Sequence, residues 1–184
     1  LELKADLQSK GISFITESDT EVLLNGLISD GDYFINQLDG PFAFAYLNQS
    51  EKSLTLARDN FGEKPLYYYH SNDELIFSSS YEAISIAIKS KTLDDGFINN
   101  FFNNGYSKNK TLFQNIHKVH SGEVIKFIFQ SEISKEIVQL NSFDYSNKNN
   151  KFDINFFEKL FIESLKRRLI ADVPIALLLS GGID

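Results

Sequence analysis

An α+β fold running into the first elements of an α/β domain is what this 184-residue chain predicts. Three observations carry the prediction. Runs that alternate apolar and polar residues cluster between residues 43 and 140, and apolar stripes at helical spacing flank them. An Asn-rich polar stretch, "NSFDYSNKNNK", then interrupts the pattern from Asn141 to Lys151. Beyond it come a helical stripe, a Pro, an apolar run and a glycine pair, the order in which a parallel α/β sheet begins. The expected architecture is a partial sandwich of antiparallel strands layered between helices over residues 1–141. A linker over 142–152 joins it to the first helix and strand of an α/β domain over 153–184.

Element by element, "LELKADLQSKG" suits a short helix closed by Gly11, although it starts without an N-cap, as an internal piece of a longer chain would. "ISFIT" alternates like a strand. "SDTEVLLNGLI" sets Glu21 three positions after Ser18, a capping box, ahead of the stripe Val22, Leu23, Leu24 and Leu27. "DYFINQLDG" continues as a helical stretch. "FAFAYLN" and "SLTLARD" form a hairpin about the polar turn Asn48–Lys52, and "LYYYH" and "ELIFSSS" form another about "SND", which predicts four antiparallel strands in a row. "YEAISIAIK" and "LDDGFINNFFNNG" read as helices with Phe, Ile and Ala turned inward, and "EVIKFIF" and "EIVQL" as closing strands. After the linker, Phe156, Leu160, Phe161, Leu165 and Leu169 mark a helix, Pro174 a tight turn, and "IALLLS" a buried strand.

Composition excludes several classes. A hydrophobic fraction of 42%, with 17 Phe and 8 Tyr, is that of a chain with a core rather than a disordered one. The net charge of −7 argues against nucleic acid, and the cluster Lys166, Arg167 and Arg168 reads as a solvated helix end. With no cysteine there is neither a disulfide framework nor a thiolate metal site. No apolar run is long enough to span a bilayer, so a soluble, cytoplasmic protein with no membrane partner is expected. His117 and His120 lie three apart, but in a loop running into a strand, where a shared metal geometry is not assured.

Two stretches carry chemistry. In "LLLSGGID" an apolar strand empties into Ser180, Gly181 and Gly182, so small residues expose backbone N–H groups at the carboxyl end of a parallel strand, where phosphates bind. An ordinary strand-to-turn corner would have the same look. In "ARDNFGEKPLYYY", Arg58 and Asp59 close a strand, Gly62 supplies a turn and Pro65 sets the next strand, as a purely structural hairpin would require. Asp19 stands where a strand meets a helix start, and it or Ser18 could be no more than a cap.

"RLIADVPIALLLSGGID" resembles the start of the ATP-pyrophosphatase domain of the glutamine-hydrolysing asparagine synthetases. "ARDNFGEKPLYYY", "SDTEVLL", "LDGPFAFAYLN" and "IHKVHSGEVIKF" are similar, in the same order, to the class II glutamine amidotransferase domain of that family. Ala176 replaces a glycine common in the family, and Ser121 stands where it usually has proline. The resemblance implies an Ntn-type glutaminase sandwich in which Asp19 binds the ammonium group of glutamine. It implies an ATP site at Leu179, Ser180, Gly181 and Gly182, with Asp184 as a Mg²⁺ ligand. The implied reaction is amidation of aspartate through a β-aspartyl-AMP intermediate, using ammonia from glutamine. The family's nucleophile is an amino-terminal cysteine, which this chain lacks, so the chain by itself is expected to be inactive and its parent to be the enzyme. Glutamine, aspartate and ATP are the implied partners, and a homodimer is one assembly open to the parent. Two other readings stay open: a relative that amidates another carboxylate, and a non-catalytic binding module.

Overall fold

A computed structural model describes residues 2–106, 110–139, 153–171, 173–177 and 181. It divides into two compact units, Leu1–Ser142 and Phe143–Asp184. The first begins with helices α1 (Glu2–Ser9) and α2 (Asp19–Asp30), then a 3-10 turn over Gly31–Gln37. Strands β1 (Ala43–Asn48), β2 (Ser53–Arg58), β3 (Tyr67–His70) and β4 (Leu75–Ser78) follow. Helices α3 (Tyr81–Ala87) and α4 (Asp95–Asn104) lead to β5 (Ile116–Lys118), β6 (Glu123–Phe129) and β7 (Ile133–Gln139). The second unit contains α5 (Ile154–Arg168).

The strands form two antiparallel sheets, ordered β1-β2-β6-β7 and β4-β3-β5. Both predicted hairpins are present, with Ala43 opposite Arg58 and Tyr67 opposite Ser78. The expected row of four strands is not, because β2 pairs with β6 and not with β3. The two hairpins therefore belong to different sheets, each completed by a strand from much later in the chain. The segment "IHK", expected as loop, supplies one of these as β5 against Tyr67–Tyr69.

Alternation along the strands sorts the core into layers. Leu54 and Leu56 of β2, Ile125 and Phe127 of β6, and Leu66 and Tyr68 at β3 fill the space between the sheets. Ala57 and Val124, pointing the other way, meet Leu27 of α2 and Ile35 of the 3-10 turn. On the far side of the second sheet, Tyr67, Tyr69 and Ile76 pack with Ile84 of α3, Ile88 and Ile116. The result is an αββα sandwich, the α+β fold that the strand-rich pattern predicts. Every residue of β2 is buried, because it is an inner strand covered on both faces.

Several expectations are corrected. "ISFIT" is not a strand: the amides of Ile15 and Thr16, which a sheet would have used, donate instead to the Glu21 carboxylate at 2.8 and 2.7 Å. The helical stretch at "DYFINQ" is a 3-10 turn. Helix α4 has its expected caps, Asp94 and the left-handed Gly105 (φ +76°), but no fully buried residue, and Phe101 and Phe102 are exposed. Helix α5 forms as predicted, with the Asp153 carboxylate accepting from the amides of Asn155 and Phe156 and with Lys166, Arg167 and Arg168 in its last turn. The strand expected at "IALLLS" is not formed over residues 175–177, and residues 178–180 lie outside the described residues. The linker over 142–152 also lies outside them.

Candidate functional site

Asp19 is the first residue of α2, and the loop before it is held by a chain of polar contacts. The Glu21 carboxylate accepts from the Ile15 and Thr16 amides and from Thr16 Oγ1 at 2.5 Å. The Ser18 amide donates to Thr16 Oγ1, and Ser18 Oγ accepts from the Thr20 amide at 3.2 Å. Lys4 Nζ donates to the Thr16 carbonyl and the Glu17 carboxylate at 3.1 and 2.7 Å and lies over the Phe14 ring. The capping box is thus shifted: Ser18 caps the helix, but Glu21 reaches past Ser18 to the two residues that a strand would have contained. Its carboxyl is held below the ordinary glutamate value, first by the Ile15 amide and then by Thr16.

These contacts settle the roles left open between Ser18 and Asp19. Ser18 is the cap, and the Asp19 carboxylate is exposed and accepts no hydrogen bond from the described residues. Beside it Ile15 is 95% exposed, an apolar side chain with nothing over it. An ionised carboxylate on a braced loop next to an apolar surface can receive a cationic ammonium group that carries an aliphatic chain.

The segment Arg58–Tyr69 plays a different part. Asp59 is 1% exposed, and its carboxylate accepts from the amides of Phe61, Glu63 and Lys64 at 3.0–3.1 Å. Burial alone would raise its pKa, but the ring of amides from Glu63, Lys64, Phe61 and Gly62 outweighs it and holds the carboxyl below the ordinary value. The Arg58 guanidinium donates to the carbonyls of Lys64, Val119 and Gly62. The backbone carbonyl of Asp59 also accepts from the amides of Gly62 and Gly122. Gly62 sits at φ +66°, where a side chain would be strained and would meet Ser121. This is a buried brace tying the end of β2 to the turn between β5 and β6, with no group left for a substrate. Adjacent Arg and Asp ahead of a turn glycine were the only sequence signal for it.

Of the residues expected at a phosphate site, only Gly181 is described, with a left-handed φ of +76° that suits a tight glycine turn. Leu179, Ser180, Gly182 and Asp184 lie outside the described residues. Asp184 offers the hard oxygen that Mg²⁺ prefers, and chemistry is all that supports it as a ligand. Among the described residues no group of three His, Cys, Asp or Glu side chains could hold a metal ion, and no helix is long and apolar enough to cross a membrane. His117 and His120 instead line a cleft between the sheets, together with Lys118 and Lys135, which sequence spacing did not connect.

Comparison with known proteins agrees with this layout. Residues 1–138 match the family described as a glutamine amidotransferase domain, and residues 157–184 match the asparagine synthase family. "Asparagine synthetase [glutamine-hydrolyzing] 1" of Bacillus subtilis is 30% identical over all of this chain and 29% of its own length. A synthetase of the same description from Oryza sativa is 31% identical over all of this chain and 26% of its own. "Amidase chyE" of Penicillium rubens is 27% identical over 97% of this chain and 27% of its own. The chain thus spans less than a third of the length of these relatives. Among solved structures, the glutamine phosphoribosylpyrophosphate amidotransferase of B. subtilis superposes with a TM-score of 0.52 at 22% identity, covering 76% of this chain and 27% of that one. The antiparallel sandwich is therefore the Ntn-type glutamine amidotransferase fold.

Proposed function

Since the chain belongs to the glutamine amidotransferase family over residues 1–138, we propose that it is part of a glutamine-dependent, ATP-consuming ligase that amidates aspartate. The observation that carries this reading is the succession of an amidotransferase match and an asparagine synthase match on one chain. In it, residues 1–141 are the amidotransferase domain, 142–152 the linker and 153–184 the opening of the synthetase domain, in a cytoplasmic enzyme.

Asp19 receives the ammonium group of glutamine, because its carboxylate is exposed, unshared and fixed at a braced helix start. A thiol nucleophile must come from elsewhere, for the chain has no cysteine. Leu179, Ser180, Gly181 and Gly182 hold ATP, and Asp184 helps to hold Mg²⁺, which offsets phosphate charge. Adenylation of aspartate to β-aspartyl-AMP supplies the leaving group that a free carboxylate lacks, and ammonia released from glutamine displaces it.

The test is made in the full-length enzyme that contains this chain, with glutamine and ammonia compared as nitrogen donors. Asp19→Asn should raise the KM for glutamine about tenfold or more, as expected for loss of a charge-assisted contact, and leave ammonia-dependent asparagine formation unchanged. Equal loss with both donors, or no loss with glutamine, would remove Asp19 from the site. The purified 184-residue chain alone should release no ammonia from glutamine. The match to an amidase from P. rubens favours a second reading, in which another carboxylate is the acceptor; replacing aspartate in the same assay separates the two.

A further inference from the structure

A cleft of about 390 Å³ opens between the two sheets where their edge strands β5 and β7 run near each other. Its floor is Tyr68 of β3, whose ring lies 5.2 Å from that of His117. Lys135 of β7 donates to the Tyr68 hydroxyl at 3.2 Å and sits over its ring at 5.6 Å. Lys118 of β5 lines the same cleft, and Phe113, Ile116 and Ile137 give it an apolar wall.

The charges here do not cancel as they do elsewhere on the molecule. Lys110 is paired with Asp94 at 3.0 Å, and the Glu123 carboxylate accepts from the His120 amide at 2.6 Å. Lys118 and Lys135 have no carboxylate within ion-pairing distance among the described residues. Burial and the nearby Arg58 push the Lys118 ammonium below its ordinary pKa. Burial pushes the His117 imidazole down, with Lys135 and His70 adding to the effect. Cations are therefore held together at a partly dry site on a chain whose net charge is −7, and a bound anion would relieve their repulsion.

We propose that this cleft binds a small organic phosphate, with Lys118, Lys135 and His117 on the phosphate and Phe113, Ile116 and Ile137 against the organic body. Lysine ammonium groups serve phosphate as point charges that need no planar geometry, whereas paired carboxylate recognition favours arginine. The volume lies at the small end of the range for ligand pockets, enough for a phosphate and one ring. The site is independent of the amidotransferase reading, since neither Asp19 nor the phosphate turn at Gly181 lines it.

The experiment follows backbone amide shifts of the 184-residue chain by NMR at constant ionic strength, titrating inorganic phosphate, phenyl phosphate and acetate separately. Saturable shifts at Ile116–Lys118 and Lys135–Ile137 are expected, with phenyl phosphate binding more tightly than inorganic phosphate and acetate more weakly than either. Lys118→Ala and Lys135→Ala should each weaken phenyl phosphate about tenfold or more, as expected for loss of a charge-assisted bond. Lys126→Ala, which breaks pairs with Asp32 and Glu51 outside the cleft, should leave it unchanged. Should Lys135→Ala disturb the fold by uncovering Tyr68, Lys118→Ala carries the test. Shifts that sodium chloride reproduces, equal affinity in the cleft variants, or acetate binding as tightly as phosphate would each overturn the proposal. Phenyl phosphate binding no more tightly than inorganic phosphate would overturn the organic part.

Discussion

Asp59 shows how much one buried charge can organise. Its carboxylate shields three backbone amides of the following loop, and no apolar residue could replace those bonds. Asp59→Ala should lower unfolding stability by about 3 kcal/mol or more, read from urea denaturation, because it leaves the amides unpaired in a buried place. Asp59→Asn, which keeps an acceptor oxygen but turns an NH₂ toward the Lys64 amide, should cost less. The pH dependence follows from a folded pKa below the ordinary value. Ionised Asp59 contributes its stability above about pH 4, where the unfolded carboxyl is also ionised, and loses it as the pH falls toward the folded pKa. Acid titration of Asp59→Asn should show a shallower fall in stability over that window than the parent. The pair Arg58 and Asp59 was legible in the sequence as the end of a strand and its turn. Their burial was not, because it depends on Val119 and Gly122 arriving from a hairpin some sixty residues later.

At the scale of elements, local chemistry was read well where it was self-contained. Ser18, Ser80, Asp94 and Asp153 all cap the helices that their positions suggested, since a cap needs only the amides of the next turn. "ISFIT" failed because alternation describes a strand only if a neighbour takes its amides, and Glu21 took two of them first. Helix α2 offers a test of packing against propensity. Gly26 is buried, and a Cβ there would run into the ring of Phe34, itself 1% exposed. Alanine ought to stabilise a helix interior by about 1 kcal/mol. Here overpacking against a ring with no room to retreat should outweigh that, so Gly26→Ala is expected to destabilise by about 1–2 kcal/mol, measured by thermal or urea unfolding. A stabilised variant would mean that Phe34 can move.

The whole molecule is two sheets whose inner strands come from distant parts of the chain. β2 and β6 form the centre of the first sheet, covered by α2 and the 3-10 turn on one side and by the second sheet on the other. Their amides should therefore exchange with solvent most slowly, and those of α4 and α5, which bury no residue fully, much faster. All three apolar clusters are built within Leu1–Ser142, so a chain ending there should unfold cooperatively with nearly the urea midpoint of the 184-residue chain. A large drop in midpoint would show that residues 143–184 take part in that core.

Composition, alternation and capping by themselves determined that this chain makes an α+β layer structure followed by a further helix, and motif order pointed to the amidotransferase family. Those features are local, written within a few residues of where they act. Which strands share a sheet, why Asp59 is buried, and the meeting of His117, Lys118 and Lys135 beside Tyr68 were decided only by tertiary structure. Each depends on residues far apart in sequence occupying one place, and no local pattern encodes a neighbour that the chain reaches only after folding.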